Sequence, residues 1–205
     1  MKITKIEPAK KSDRFNIYVD DEFLFNINYE TIVFFNLSKQ MQLNNEKIQE
    51  ITDYDRVKRA KNKAYDLLCR NDYTKKGLQK KLIEKGIDKA LAEEAAQNAA
   101  DKGVLSDERY AQQKAQYLYE YKRFGRRRII NELLHKGIEK ELAEEVADSF
   151  DFPSERVREL ASKLLGSIPP EPKAIKKIYD KLIYLGYNYD EASTALREVK
   201  EDDYI

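Results

Sequence analysis

The chain has 205 residues, 41% of them hydrophobic and 37% charged, with 7 glycines and 5 prolines, so a solvated surface encloses a core and long flexible linkers are not expected. Its 38 basic and 37 acidic side chains leave a formal charge of +1, which argues against a protein that coats bare nucleic acid by charge alone. No run of 18 uncharged apolar residues exists, the opening Met1-Lys2-Ile3-Thr4-Lys5 is not a secretory signal, and the single Cys69 closes no internal disulfide; a cytoplasmic protein without membrane contact is expected.

Residues 1–53 differ from the rest. Phe15, Ile17 and Val19 alternate with polar residues, as do Phe23, Phe25 and Ile27, and Asp20-Asp21 lies between the two runs. That period-two pattern around turn formers predicts a β-hairpin, whose turn type stays open without a glycine. A short apolar stretch, Thr31 to Leu37, follows, and then a brief helix near Glu46–Thr52.

From residue 54 the period is helical and the sequence repeats. Leu82-Ile83-Glu84-Lys85-Gly86-Ile87 returns 51 residues later as Leu133-Leu134-His135-Lys136-Gly137-Ile138, and 49 residues after that as Leu182-Ile183-Tyr184-Leu185-Gly186-Tyr187. Leu91-Ala92-Glu93-Glu94-Ala95 matches Leu142-Ala143-Glu144-Glu145-Val146. Three copies of a unit of about 50 residues are therefore predicted, at 54–103, 104–150 and 151–205. Each parses into three helices: Arg56–Arg70, Thr74–Lys85 and Asp88–Asp101; Ser106–Phe124, Arg126–Lys136 and Glu139–Ser149; Ser154–Leu165, Glu171–Leu185 and Tyr189–Lys200. The glycine after each middle helix suits a left-handed C′ position, and Asp88 or Asn188 is placed to cap the next helix, Asn188 with Glu191 as a capping box. The expected fold is all-α, three tandem three-helix repeats behind a small N-terminal β-hairpin.

Groups for catalysis are scarce. The only histidine, His135, stands at a helix C-terminus, where it complements the dipole. No cysteine or histidine spacing suits a metal, and no glycine-rich stretch matches a phosphate loop. Glu93-Glu94 and Glu144-Glu145 fall on solvated helix faces. No cofactor, no metal and no enzymatic activity are expected.

Basic clusters offer binding instead. Residues 54–103 hold 13 basic and 8 acidic side chains, against 9 of each in residues 104–150. Lys75, Lys76, Lys80 and Lys81 form one cluster, and Lys122, Arg123, Arg126, Arg127 and Arg128 another. Arg56, Lys58 and Arg59, with Lys61 and Lys63, form a third that reads equally well as a solvated face; Lys176 and Lys177 are secondary candidates in the third copy. Lys75-Lys76 and Arg126-Arg127 occupy corresponding first turns of middle helices. Positive side chains there oppose the dipole at about 0.3–1 kcal/mol each, so these turns are candidates for contact with an acidic protein surface or phosphate. Tyr73 and Phe124 precede the two helices at matching places and are expected to staple onto Leu78 and Ile129. Of Tyr117, Tyr119 and Tyr121 on one helix, some face the core and others are open to a partner.

Three segments resemble the RecX family, bacterial regulators of the RecA recombinase. Arg70-Asn71-Asp72-Tyr73-Thr74-Lys75-Lys76 with Leu78 and Lys81-Leu82 is similar to its first-repeat pattern. Gly103-Val104-Leu105-Ser106-Asp107-Glu108-Arg109-Tyr110-Ala111 is similar to its most recognisable segment, and Gly125 through Leu133, ending Lys136-Gly137-Ile138, to its second-repeat signature. The third copy, interrupted by Pro169, Pro170 and Pro172, departs most. The resemblance implies an elongated curved array of the three repeats that binds the groove of the RecA filament on single-stranded DNA; a monomer with weak nucleic-acid binding of its own is expected. It also implies inhibition of RecA ATP hydrolysis, strand exchange and stimulated repressor cleavage. A sequence-independent DNA binder acting without RecA, and a helical adaptor for some other protein, stay open as alternatives.

Overall fold

The structure, a computed structural model, describes residues 1–10, 14–166 and 172–202. It opens with a three-stranded antiparallel sheet in the order β1 (Ile3–Pro8), β2 (Arg14–Val19), β3 (Glu22–Asn28). The hairpin expected around Asp20-Asp21 is β2–β3. Both aspartates lie at positive φ, 49° and 68°, which defines a type I′ turn made without glycine. The strand β1 was not expected. A register irregularity between Ile3 and Lys5 breaks its alternation, so Ile3 and Ile6 both pack toward one core although they stand three positions apart. A second irregularity, between Ile17 and Tyr18, corrects the expected face of β3. Phe23 pairs with Tyr18 and is 57% exposed, whereas Phe25 pairs with Ile17 and Ile27 is buried.

Ten helices follow among the described residues: α1 (Tyr29–Phe34), α2 (Asn45–Leu68), α3 (Lys75–Glu84), α4 (Lys89–Asp101), α5 (Asp107–Glu120), α6 (Arg126–His135), α7 (Lys140–Asp148), α8 (Ser154–Leu165), α9 (Pro172–Tyr184) and α10 (Tyr189–Asp202). The helix near Glu46–Thr52 and the helix Arg56–Arg70 are in fact one continuous α2. Asn44 caps its start by accepting from the Lys47 backbone N–H at 2.8 Å, and the Asp53-Tyr54-Asp55 stretch contains no glycine or proline to break it. Helix α5 ends earlier than expected because Arg123 adopts φ +55° and the Phe124 N–H donates back to Leu118 O at 3.1 Å. Pro172 stands at the first position of α9, where its missing N–H leaves no bond unmade. Glu171, Pro169 and Pro170 lie outside the described residues.

The three expected glycine turns are present. Gly86, Gly137 and Gly186 have φ of +81°, +86° and +96°, and the apolar residue after each donates to the carbonyl of Leu82, Leu133 or Leu182 at 3.1–3.2 Å. Asp88 caps α4, and Asn188 and Glu191 exchange the two bonds of a capping box.

The chain divides into two compact units, Met1–Asp72 with Leu78–Leu105, and Tyr73–Gly77 with Ser106–Ile205. In the first, a core of Ile3, Ile17, Ile27, Leu37, Leu43 and Ile51 lies between the sheet and α2. Asp55 on α2 is its one buried carboxylate among the described residues. It pairs with Arg14 at 2.8 Å and accepts from the Asn28 N–H at 2.7 Å and the Thr31 hydroxyl at 2.9 Å. In the second unit α5–α7 and α8–α10 build two cores of like pattern, and Phe124 packs against both.

Candidate partner and nucleic-acid interface

The basic first turns of the middle helices are built into the second unit. Thr74 caps α3 by accepting from the Gly77 N–H, and its hydroxyl donates to Lys136 O at 2.6 Å. The Lys75 N–H donates to Asp107 at 2.7 Å, and Lys76 pairs with Glu139 at 2.6 Å. The cation beside Glu139 holds that carboxyl below its ordinary range. One copy further on, the Gly125 N–H donates to Leu185 O at 2.8 Å, and Lys136 and Leu185 are corresponding residues. Thus residues 73–77 seat on the Gly137 turn, and residues 124–128 seat on the Gly186 turn. Burial pushes the Tyr187 phenol up, and its hydroxyl donates to Arg123 O at 3.0 Å at this second seat.

The remaining predicted residues separate into engaged and exposed sets. Arg126 is held by both oxygens of Asp148, whose carboxyl is lowered by that guanidinium. Arg128 pairs with Glu132 at 2.8 Å and lies over the rings of Phe124 and Tyr184, so it serves the packing of the unit. Lys81 pairs with Glu84 on its own helix. Lys80, Arg127, Lys176 and Lys177 are exposed and form no ion pair among the described residues; Lys176 and Lys177 fall in the second turn of α9. Arg56 makes a loose exposed pair with Asp53 at 3.8 Å, the half-buried Lys58 pairs with Glu30 at 3.0 Å, and Arg59 is exposed. Pairs on the surface are worth about 0–1 kcal/mol, so a partner's carboxylate or phosphate displaces them at little cost.

The sequence pattern did not single out the most accessible aromatic pair. Tyr117 and Tyr121, 42% and 74% exposed, stack with ring centres 5.5 Å apart at the end of α5. Lys114 and Lys122 lie over the Tyr117 ring at 5.3 and 5.8 Å, and Arg123 follows on the turn into α6. Their i, i+4 spacing is the signal that would have found them. Tyr119 instead packs with Phe150 and Phe152 beneath the Arg156 guanidinium. Lys114 and Lys122 with this pair form a surface of cations against aromatic faces, the chemistry that meets unstacked bases or an acidic protein face, while Arg127 lines a cavity at the Gly186 turn with Asn188 and Tyr189. His135 is the exposed last residue of α6 and Cys69 the exposed cap of α2. Among the described residues no cluster suits a metal, and no helix is long and apolar enough to cross a membrane.

Comparison with known proteins adds relatives along almost the entire chain. Residues 1–44 match the regulatory protein RecX N-terminal domain, and residues 106–146 match the RecX second three-helix domain. The chain is similar to regulatory protein RecX of Caldanaerobacter subterraneus subsp. tengcongensis, 31% identical over 96% of this chain and 98% of the relative. It is 33% identical to regulatory protein RecX of Clostridioides difficile, over 98% of this chain and 97% of that one. A crystal structure of a regulatory protein RecX superposes with a TM-score of 0.75 over 98% of both chains at 24% identity, a likeness of fold.

Proposed function

The chain belongs to the RecX family of regulatory proteins, and from that premise we propose that it binds in the groove of the RecA filament on single-stranded DNA and inhibits RecA ATP hydrolysis, strand exchange and coprotease activity. It acts in the cytoplasm, as a monomer, by binding and without chemistry of its own. The observation that carries the reading is the exposed cation and tyrosine surface at the α5–α6 turn, in a chain related over its length to regulatory proteins. Within it, residues 1–53 form an extension and 54–103, 104–150 and 151–205 three repeats. An array of similar units presents corresponding surfaces to successive protomers of a filament. Occupying several protomers in one state shifts the equilibrium between assembly and disassembly in proportion to the difference in affinity.

Lys122, Arg123 and Arg127 are the residues on which this reading most depends, since Lys76, Arg126 and Arg128 also hold the fold. Reversing all three to glutamate is expected to weaken binding to a RecA filament on oligothymidylate at least about tenfold, measured by fluorescence anisotropy, with the thermal melt unchanged. A folded variant that binds as tightly as the parent removes this surface from the reading. The stacked tyrosines favour a second reading, direct contact with single-stranded DNA. It predicts tight binding to the bare oligonucleotide with a steep salt dependence, where a filament regulator binds the bare strand weakly.

A further inference from the structure

The Gly137 and Gly186 turns of the second unit are filled by preceding helix starts. A Cβ added at Gly137 would lie 2.7 Å from the Lys76 Cβ, and one at Gly186 would lie 2.4 Å from the Arg128 backbone nitrogen. The corresponding turn of the first unit, at Gly86, is open: no described atom lies within 4 Å of an added Cβ, and Lys85 O, the counterpart of Lys136 O and Leu185 O, accepts no hydrogen bond among the described residues. A pocket of about 390 Å³ stands at this turn, lined by Arg56, Arg59, Gly86, Ile87, Asp88 and Leu91.

Shifting these positions by 51 residues gives the lining of the filled turn: Asp107, Tyr110, Gly137, Ile138, Glu139 and Leu142. The apolar floor is retained, but one charge is reversed. Asp107, which accepts the Lys75 N–H of the seated helix start, corresponds to Arg56, and Arg59 stands one turn further along α2. The filled turn is acidic and receives a basic helix N-terminus. The open turn offers two exposed guanidinium groups where that N-terminus would sit, so it repels such an occupant. For the same reason it repels the start of α9 in a second copy of the chain, which carries Lys173, Lys176 and Lys177.

We propose that the open turn at Gly86 docks an acidic segment of a partner protein, one carboxylate between Arg56 and Arg59 and an apolar side chain on Leu91 and Ile87. Planar guanidinium groups take carboxylates by paired N–H bonds, and the only described competitor is the exposed Arg56–Asp53 pair at 3.8 Å. Asp88, which also lines the pocket, is engaged in capping α4 through the Ala90 N–H, and with Asp53 and Glu94 on the flanking helices it opposes a continuous phosphate backbone more than one discrete acid. The site does not depend on which protein supplies the segment.

The test is a backbone amide NMR titration of the full chain with a short peptide of repeated leucine-glutamate-glutamate units, and separately with oligothymidylate. The peptide is expected to shift the Gly86, Ile87 and Asp88 signals saturably while leaving Gly137 and Gly186 in place. Arg56→Asp with Arg59→Glu is expected to weaken that binding about tenfold without changing the circular dichroism melt, and Arg59→Glu alone to weaken it less. No saturable shift at Gly86, or equal binding by the folded variants, overturns the proposal. Tighter binding of oligothymidylate at the same signals also overturns it and assigns the turn to phosphate.

Discussion

Replacing Asp55 by alanine is expected to lower the unfolding free energy by about 3–5 kcal/mol, the loss usual when one partner of a buried ion pair is removed. Asp55 is 4% exposed, and its two oxygens hold groups from β2, the end of β3 and α1. Truncation leaves the Arg14 guanidinium without its carboxylate and two donors, the Asn28 N–H and the Thr31 hydroxyl, without an acceptor. Arg14 also donates to Asn26, so the strand end it organises loosens with it. Urea unfolding followed by circular dichroism measures the loss. Asp55→Asn, which keeps an acceptor oxygen but not the charge, is expected to fall between parent and alanine variant. A loss below about 1 kcal/mol for the alanine variant would mean that apolar burial alone joins the sheet to α2.

The second large effect concerns glycines at the filled turns. Gly186→Ala combines a left-handed φ of +96° with overlap against Arg128 backbone, and a loss of about 2–4 kcal/mol is expected. Gly125→Ala separates the two causes. Gly125 has φ −81°, which alanine adopts freely, yet its Cβ would meet the Gly186 carbonyl oxygen at 2.7 Å. A loss of about 1–3 kcal/mol there reports the close approach alone. Gly86→Ala supplies the complement, a left-handed residue at φ +81° with open space around it, and about 1–2 kcal/mol is expected from backbone strain alone. Denaturation midpoints of the three variants are compared under one condition. Equal losses at Gly86 and Gly186 would show that the Arg128 contact carries no energy.

The elements most legible in the sequence were those set by local chemistry. The three glycine turns follow from a left-handed requirement that glycine meets without strain, and the Asn188–Glu191 box from side chains three residues apart. What escaped detection depended on distant residues or on a break in period. The strand β1 escaped because its bulge disrupts alternation, and the length of α2 because its first turns read with the N-terminal extension and the rest with the first repeat. For the candidate surface, the basic clusters were legible as charge. Their division into engaged and exposed members was not. Lys76 meets Glu139 across 63 residues of chain and Lys75 meets Asp107 across 32, and no local pattern announces such partners. The fold class and the family resemblance were recovered from the repeat and its motifs; the relatives found along the whole chain agree with both.

The most direct measurement is single-stranded-DNA-dependent ATP hydrolysis by the cognate RecA as this protein is titrated in. Inhibition at fewer than one molecule per RecA protomer, relieved by charge reversal at Lys122, Arg123 and Arg127, is the expected result. Unchanged hydrolysis, with filaments confirmed by sedimentation and no protein pelleting with them, would contradict the proposed action on the filament.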